Sequence, residues 1–541
     1  MKVGRAGRAV LARLLGSLLA AALACAAVLN PGPAFGSEAG EDFLAVGGWP
    51  ADSAPRSQQP RTPPGAGQVY FDETFGTTVR QLTGSVSPDV GFVPEYSKAG
   101  AFNADGTRFL IRGTDGSTQL YATDSLTSVG ALPLPEADLE PRWSPTDPTL
   151  LTYLDNAESG EIKQFSTATG QSSVLGSYPG FGELSSGAEQ DHSRTGRYYA
   201  IHGTEVYDGA GTWVSTQAFV ADLATGSRGP VTTLTPPVPG DFLDYVSITP
   251  DDQNVMVMWA LTGARLYTRD WSLVRQLTDW DEHADFCRMP DGTDALVIAH
   301  YRPDPNDQVV ELIPLSGVGS RVLWQVPTYN MALHISCRNT DLPGWAFVSS
   351  YWDGIGQRPG LTPFENEVFA LSLESAPEAP VVRRLAHTGM TERADYFDEP
   401  HATVSRDGRV VLFGSNFERN RDSEMFADVF AIDLRAESPA GPSLPGPGSS
   451  PPVGAEPGIT TDQTLGRSWP RRLSRGRHMA LPRQTDQGQV LAWATATRRT
   501  CRVRGHRAFA HRPGRCRLRA SAPAAGRWRA FASTFRVRVP R

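Results

Sequence analysis

The chain has 541 residues, 40% of them hydrophobic and 20% charged, with a formal net charge of −7. That length excludes a single ordinary domain, and the composition excludes both a disordered chain and a polytopic membrane protein. Five cysteines exclude a dense disulfide scaffold, while 53 Gly and 43 Pro fit short strands joined by many turns.

The net charge conceals a division. Residues 459–541 hold 20 Arg, no Lys and the two acids Asp462 and Asp486, giving +18; residues 1–37 carry +4; the body between them has 27 basic and 56 acidic residues, or −29. An acidic body is joined to a basic tail.

Residues 1–36 read as a secretory signal peptide: Lys2, Arg5 and Arg8 precede an apolar run from Ala9 to Leu29, and Ala34-Phe35-Gly36 offers a small-residue cleavage site before Ser37. Cys25 follows Ala22-Leu23-Ala24, a poor lipoprotein box because Ala stands three places before the cysteine. No other segment approaches the roughly 20 apolar residues that span a bilayer, so no transmembrane segment is expected after signal removal. The expected fate is secretion or association with the cell envelope, in an oxidising compartment. Residues 37–66 read as a Pro-rich linker and 437–458, with seven Pro in 22 residues, as a second one.

Between them, residues 67–436 repeat. A short apolar strand, a turn centred on Asp-Gly or its equivalent and a second strand recur seven times, starting at Ala101, Arg142, Asp191, Val246, Ala284, Ile335 and Ala402. Turn-to-turn spacing of about 40 to 66 residues suits four-stranded blades with variable outer loops. The seventh copy has a third strand, Asp428–Ile432, and then no fourth. Val79-Arg80-Gln81-Leu82-Thr83 matches the fourth-strand pattern of Val274-Arg275-Gln276-Leu277-Thr278 and stands before the first copy. The expected fold is all-β: a seven-bladed β-propeller closed by its N-terminal strand. Closure of this kind removes an open sheet edge.

Residues 459–541 form the expected basic tail module. Alternation in Cys501–Val503, Cys516–Ala520 and Phe535–Val539 predicts strands, and Cys501 and Cys516 flank the turn residues Pro513 and Gly514, so a disulfide between them would staple a hairpin. Residues 468–487 lack this alternation and read either as disordered or as unreliable sequence. The strand pattern resembles the small Ig-like repeats at the ends of bacterial surface proteins, which implies a small β-sandwich after the propeller.

Three His stand near the starts of innermost strands in consecutive blades: His283, His334 and His401. Innermost strands line the channel of a propeller. Imidazoles from three elements, with a carboxylate such as Glu399 or Asp285, suit one divalent metal, Mn, Zn or Ca. Counted back from Asp291, Asp341 and Asp407 the three lie eight, seven and six residues upstream, so they are not strictly equivalent, and capping of strands or turns is the structural alternative. Arg288, Arg338, Arg142 and Arg194 fall near inner strands or their turns. Arg288 and Arg338 are the candidates for catalytic recognition of a carboxylate; the competing role is pairing with the acids of the body. Cys287 and Cys337 each stand four residues before their turn Asp in neighbouring blades, either as an inter-blade disulfide or as two buried thiols. No Gly-rich phosphate loop, His-Glu-x-x-His motif or Gly-x-Ser-x-Gly elbow occurs.

The Asp-Gly hairpins and VRQLT-type strands resemble the TolB-like and WD40-like propellers of exported bacterial proteins. Glu282–Phe286 (EHADF) and Glu399–Gly408 (EPHATVSRDG) more narrowly resemble the oligogalacturonide lyase family over roughly residues 67–436. That resemblance implies a metal that neutralises a uronate carboxylate for β-elimination, with His283 and His401 the better-matched ligands and His334 the weaker. Glu399 departs from it, standing where a neutral amide is more familiar. The leading expectation is a binding module for a carbohydrate or protein ligand at the channel mouth; the alternatives are a metal-dependent polysaccharide lyase and an interaction platform for envelope proteins. The tail is expected to meet an anionic cell-wall polymer, and no nucleic-acid partner is expected.

Overall fold

A computed structural model describes residues 42–46, 49–58, 62–84, 90–135, 139–155, 160–181, 183–187, 190–203, 205–208, 212–279, 283–300, 308–327, 331–352, 362–390, 396–417, 427–435, 478–481, 492–495, 497, 500–504, 507–510, 514–522 and 531–539. The signal peptide, Cys25, the linker at 437–458 and most of 468–487 lie outside the described residues. A single-turn helix, Phe43–Val46, belongs to a separate N-terminal unit, residues 1–47.

Seven antiparallel sheets follow the seven sequence copies, and five of them have four strands in simple up-and-down order. In the fifth blade these are Ala284–Arg288, Asp294–His300, Val309–Pro314 and Arg321–Gln325; in the sixth, Met331–Ser336, Trp345–Trp352, Glu367–Ser372 and Val382–His387. The turns explain why Asp-Gly recurs. The carboxylates of Asp105, Asp291 and Asp407 each accept the backbone N–H two residues on, at 2.9–3.1 Å, and Gly106, Gly292 and Gly408 take φ of 70–82°. Only glycine adopts that conformation without strain. In the fourth blade Asp252 occupies it at φ 69°.

Hydrophobic burial is layered between neighbouring blades. Val297, Leu333, Ile335, Val348 and Phe369 pack the fifth against the sixth, and Leu412 and Val429 of the seventh meet Phe109 and Ile111 of the first. Each side chain of this size contributes about 2–3 kcal/mol when removed from water. Cys287 and Cys337 are joined across blades five and six, with Cα atoms 4.9 Å apart.

The ring closes where the sequence leaves a gap. Thr77–Gln81 pairs antiparallel with Asp428–Asp433, and an outer strand that sequence reasoning missed, Val69–Asp72, pairs with it, so a hairpin completes the seventh blade rather than one strand. The buried Asp428 carboxylate accepts from Thr83 Oγ1 at 2.9 Å and Gln81 Nε2 at 3.2 Å. Part of the expected linker is also engaged. Residues 49–58 run along the outer strand of the sixth blade, where Arg384 N–H donates to Pro50 O at 2.9 Å and Gly389 N–H to Gln58 Oε1 at 3.0 Å. Arg384, fully buried, pairs with Glu367 at 2.5 Å. Proline lacks a donor but offers its carbonyl, which is why a Pro-rich segment can still line a sheet edge.

In the tail, His478–Ala480, Arg507–Ala510 and Cys501–Arg504 form one three-stranded sheet, and Ala492–Thr495, Gly514–Ala522 and Phe531–Val539 form another. The Cys501–Cys516 disulfide forms with Cα atoms 5.6 Å apart, but it joins the two sheets instead of stapling a hairpin. The reason is the strand Arg507–Ala510, which folds back on Cys501–Arg504 and leaves Cys516 in the second sheet.

Two predictions follow from this framework. Deleting residues 67–84 removes the closing hairpin and bares the Asp428–Asp433 edge; size-exclusion chromatography should show aggregation in place of the wild-type peak. His192, buried edge-on to Tyr199 at 4.8 Å, is held down to about 4 by burial. Its unfolded form binds a proton from about pH 6.5, so the stability it supports is complete above that pH and falls toward pH 4, by up to about 3 kcal/mol. Denaturant melts of wild type and His192→Gln should diverge over this window, the difference cancelling the opposite-signed contribution of Asp285.

Candidate metal centre at the channel mouth

Each inner strand starts at one mouth of the channel and ends at the Asp-Gly turn beside the other. His283 immediately precedes Ala284–Arg288, His334 lies within Met331–Ser336, and His401 stands just before Thr403–Val404. The three rings converge: His283 stacks on His334 with centroids 4.2 Å apart, and His401 meets His334 edge-on at 4.2 Å.

Glu399 completes the cluster. A 3₁₀ turn, Tyr396–Asp398, brings the chain in, and Glu399 Oε2 lies 3.4 Å from Nε2 of both His334 and His401. Candidate ligand atoms of His334, Glu399 and His401 all lie within 4.8 Å of one another. Ligands at about 2.1 Å from a shared ion are separated by distances of this order. His283 stands outside that set of ligand atoms although its ring stacks on His334; its Nδ1–H donates to Leu333 O at 2.6 Å, which fixes the tautomer and the ring's orientation. Metal-bound imidazoles are characteristically oriented in this way.

The backbone at this mouth is strained. His401 has φ 39°, unfavourable for a residue with a Cβ, and its neighbours hold it there: Gly414 N–H donates to Pro400 O at 2.7 Å and Ala402 N–H to Ser349 Oγ at 3.1 Å. Such strain clusters at functional sites. Aromatic rings enclose the imidazoles. Tyr96 lies 5.0 Å from His401 and 5.6 Å from His334, Tyr351 stacks on His334 at 5.3 Å, and the exposed Tyr396 packs on His401 at 4.7 Å.

Below the imidazoles the channel is filled by ion pairs. Asp285, named with Glu399 as a possible ligand, is used elsewhere: it accepts from Cys337 N–H and Phe286 N–H, both at 2.7 Å, and from the Arg338 guanidinium. Burial pushes its carboxyl up to about 6 even so. Arg338 also meets Asp191 at 3.1 Å, and Arg142, itself buried, lies 3.5 Å from Asp191 and 3.6 Å from Glu95. Arg194 pairs with Asp294 at 2.5 Å. Arg288 lies five residues beyond His283 and Arg338 four beyond His334, so their backbones stand about 17 and 13 Å along the strands from those His, and Arg338 is engaged by Asp285 and Asp191. Sequence reasoning missed Tyr96, Tyr351 and Lys98. Lys98 is buried with its Nζ 3.9 Å above the Tyr245 ring and 5.5 Å from Tyr96. Its rarity, one of three Lys in the chain, was the one available signal.

No protein-family model and no curated protein sequence matches the chain. Among solved structures it is similar to oligogalacturonate lyase from Vibrio parahaemolyticus, at 15% identity and a TM-score of 0.50, over 69% of this chain and 97% of that one. It is also similar to an oligogalacturonate lyase in complex with manganese, at 17% identity and a TM-score of 0.50, over 70% of this chain and 98% of that one. At such identities the likeness is one of fold: this chain contains a seven-bladed propeller built like those lyases.

Proposed function

We propose that the channel mouth holds one divalent cation through His283, His334, His401 and Glu399, and that the protein is a metal-dependent lyase acting on an acidic oligosaccharide by β-elimination. The observation that carries this reading is the convergence of three imidazoles and a buried carboxylate from three neighbouring blades. Three nitrogen ligands and one carboxylate oxygen suit Mn²⁺ or Zn²⁺ better than Ca²⁺, which prefers an all-oxygen shell. A bound ion would neutralise a sugar carboxylate and acidify the adjoining C–H bond.

The protein's own side chains orient the site. The Leu333 carbonyl fixes the His283 ring, the exposed ring of Tyr396 offers a face to a sugar, and Lys98 adds positive charge beneath Tyr96. Two disulfides fit an oxidising, non-cytoplasmic compartment and support the reading of export. In the tail, Arg502, Arg517 and Arg538 are exposed while Cys516, Leu518 and Val537 are buried, a basic face suited to an anionic wall polymer.

A binding module without chemistry is the second reading. It is favoured by the engagement of Arg142, Arg194 and Arg338 with acids, and by the charge of Glu399, which would weaken a metal's pull on a second carboxylate.

The full chain dialysed without chelator should carry near one equivalent of Mn or Zn by elemental analysis, and the double variant His283→Ala/His401→Ala close to none. Metal-free, folded wild-type protein would sink the metal reading. Glu399→Gln should lower metal affinity by about tenfold or more, through loss of an anionic ligand. With oligogalacturonate, the lyase reading expects an unsaturated product, seen by near-ultraviolet absorbance and lost in the double variant. Saturable binding without that product would favour the second reading.

A further inference from the structure

The opposite mouth of the channel, at the Asp-Gly turns, is a different chemical environment. The backbone N–H groups of Asn103, Ser144, Ser193, Met289 and Ser405 donate to the carbonyls of Arg108, Leu150, Tyr198, Thr293 and Val410, and this shared bond sets the register of the repeats. The residue before each donor is therefore equivalent from blade to blade. It is Phe102, Trp143, His192 and Val404 in four blades, but Arg288 in the fifth. Arg338, before Asn339, takes the same place in the sixth. The Cys287–Cys337 disulfide sits directly before this pair and holds their backbones side by side.

Their surroundings differ. Arg338 is answered by Asp285 and Asp191. Two further arginines at this mouth, Arg194 and Arg406, are answered by Asp294 and Asp341. Arg288 is half-buried, and among the described residues its side chain has no hydrogen bond and no ion pair. It lines a cavity with about 100 Å³ open to the centres of water-sized molecules, whose other walls include Phe102, Trp143, Phe286 and Val404. A single water needs roughly 10–15 Å³ by this measure, so the space admits a small organic molecule.

We infer that this mouth is a second ligand site, distinct from the imidazole cluster, that binds a small organic carboxylate. The carboxylate pairs with the Arg288 guanidinium, in the two-pronged geometry that Arg favours, and the apolar body lies against Phe102, Trp143 and Phe286. Nothing in this placement depends on a metal at the other mouth.

Benzoate, benzyl alcohol and sulfate serve as probes, titrated calorimetrically into the full chain. Saturable benzoate binding, at least tenfold weaker for Arg288→Gln and at least tenfold weaker for the neutral benzyl alcohol, is the expected result. No saturable benzoate binding, equal binding to the variant, or tighter binding of sulfate than of benzoate would overturn the proposal. A measurement without a variant guards against misfolding: phenylglyoxal labelling of wild-type protein, mapped by mass spectrometry, should show Arg288 protected by benzoate, and unprotected labelling would overturn it. Chelator-treated protein should bind benzoate equally well. Binding that disappears with the metal would refute the placement and leave the metal centre standing.

Discussion

The ring depends on one strand pairing. Thr77–Gln81 lies against Asp428–Asp433, some 350 positions away in sequence, and the buried Asp428 carboxylate ties the two through Thr83 and Gln81. Without it the seventh blade ends on an open edge, the layer between blades seven and one loses its partner, and the inner strands no longer face one another across a channel. Both sites are consequences of closure, because neither gathers its residues from a single blade. The loop-closure cost of so long-range a contact grows only slowly with length, so the hairpin's hydrogen bonds and burial can offset it.

Closure also forces polar chemistry into the interior. Inner strands from seven blades bring charged residues together where water is scarce, and the structure pairs Arg338 with Asp285 and Asp191 and Arg142 with Glu95 and Asp191, while Arg384 and Glu367 form a buried pair on the outer strands of the sixth blade. A buried charge that loses its partner costs several kcal/mol, so these pairs fix geometry more than they add stability. In the channel Asp285, Asp191 and Glu95 are held in ion pairs, and Lys98 adds a buried cation over the rings of Tyr245 and Tyr96.

The imidazole mouth shows how a repeat can be bent to a purpose. His283, His334 and His401 occupy three different offsets from their turns, and a strictly periodic reading counts this against them. The offsets are compensated by local backbone: His283 sits just before its strand, His334 within its strand, and His401 is carried in by a 3₁₀ turn at a positive φ. Departures from strict equivalence are what allow side chains on a symmetric scaffold to meet at an asymmetric point.

The sequence by itself determined the architecture. Seven equivalent turns, three of them Asp-Gly, alternating strands and a displaced VRQLT segment are local signals, each written in a few adjacent residues, and together they specify blade count, the closing strand and the cysteines placed for a bridge between neighbouring repeats. It also nominated His283, His334, His401 and Glu399 as a group. What only the tertiary structure decided was pairing across the channel. Asp285 and Glu399 are both acids beside a candidate His, yet the first is taken by Arg338 and the second reaches two imidazoles. Arg288 and Arg338 read alike in sequence, and only the structure shows that, in the cavity both of them line, Arg338 is answered by acids and, among the described residues, Arg288 is not. Cys501 and Cys516 flank a turn, yet an intervening strand sends them to different sheets. The physical reason is common to all three. Turn and strand preferences act between neighbours in the chain, whereas a side chain's partner at the channel is set by which blades face each other once the ring has closed.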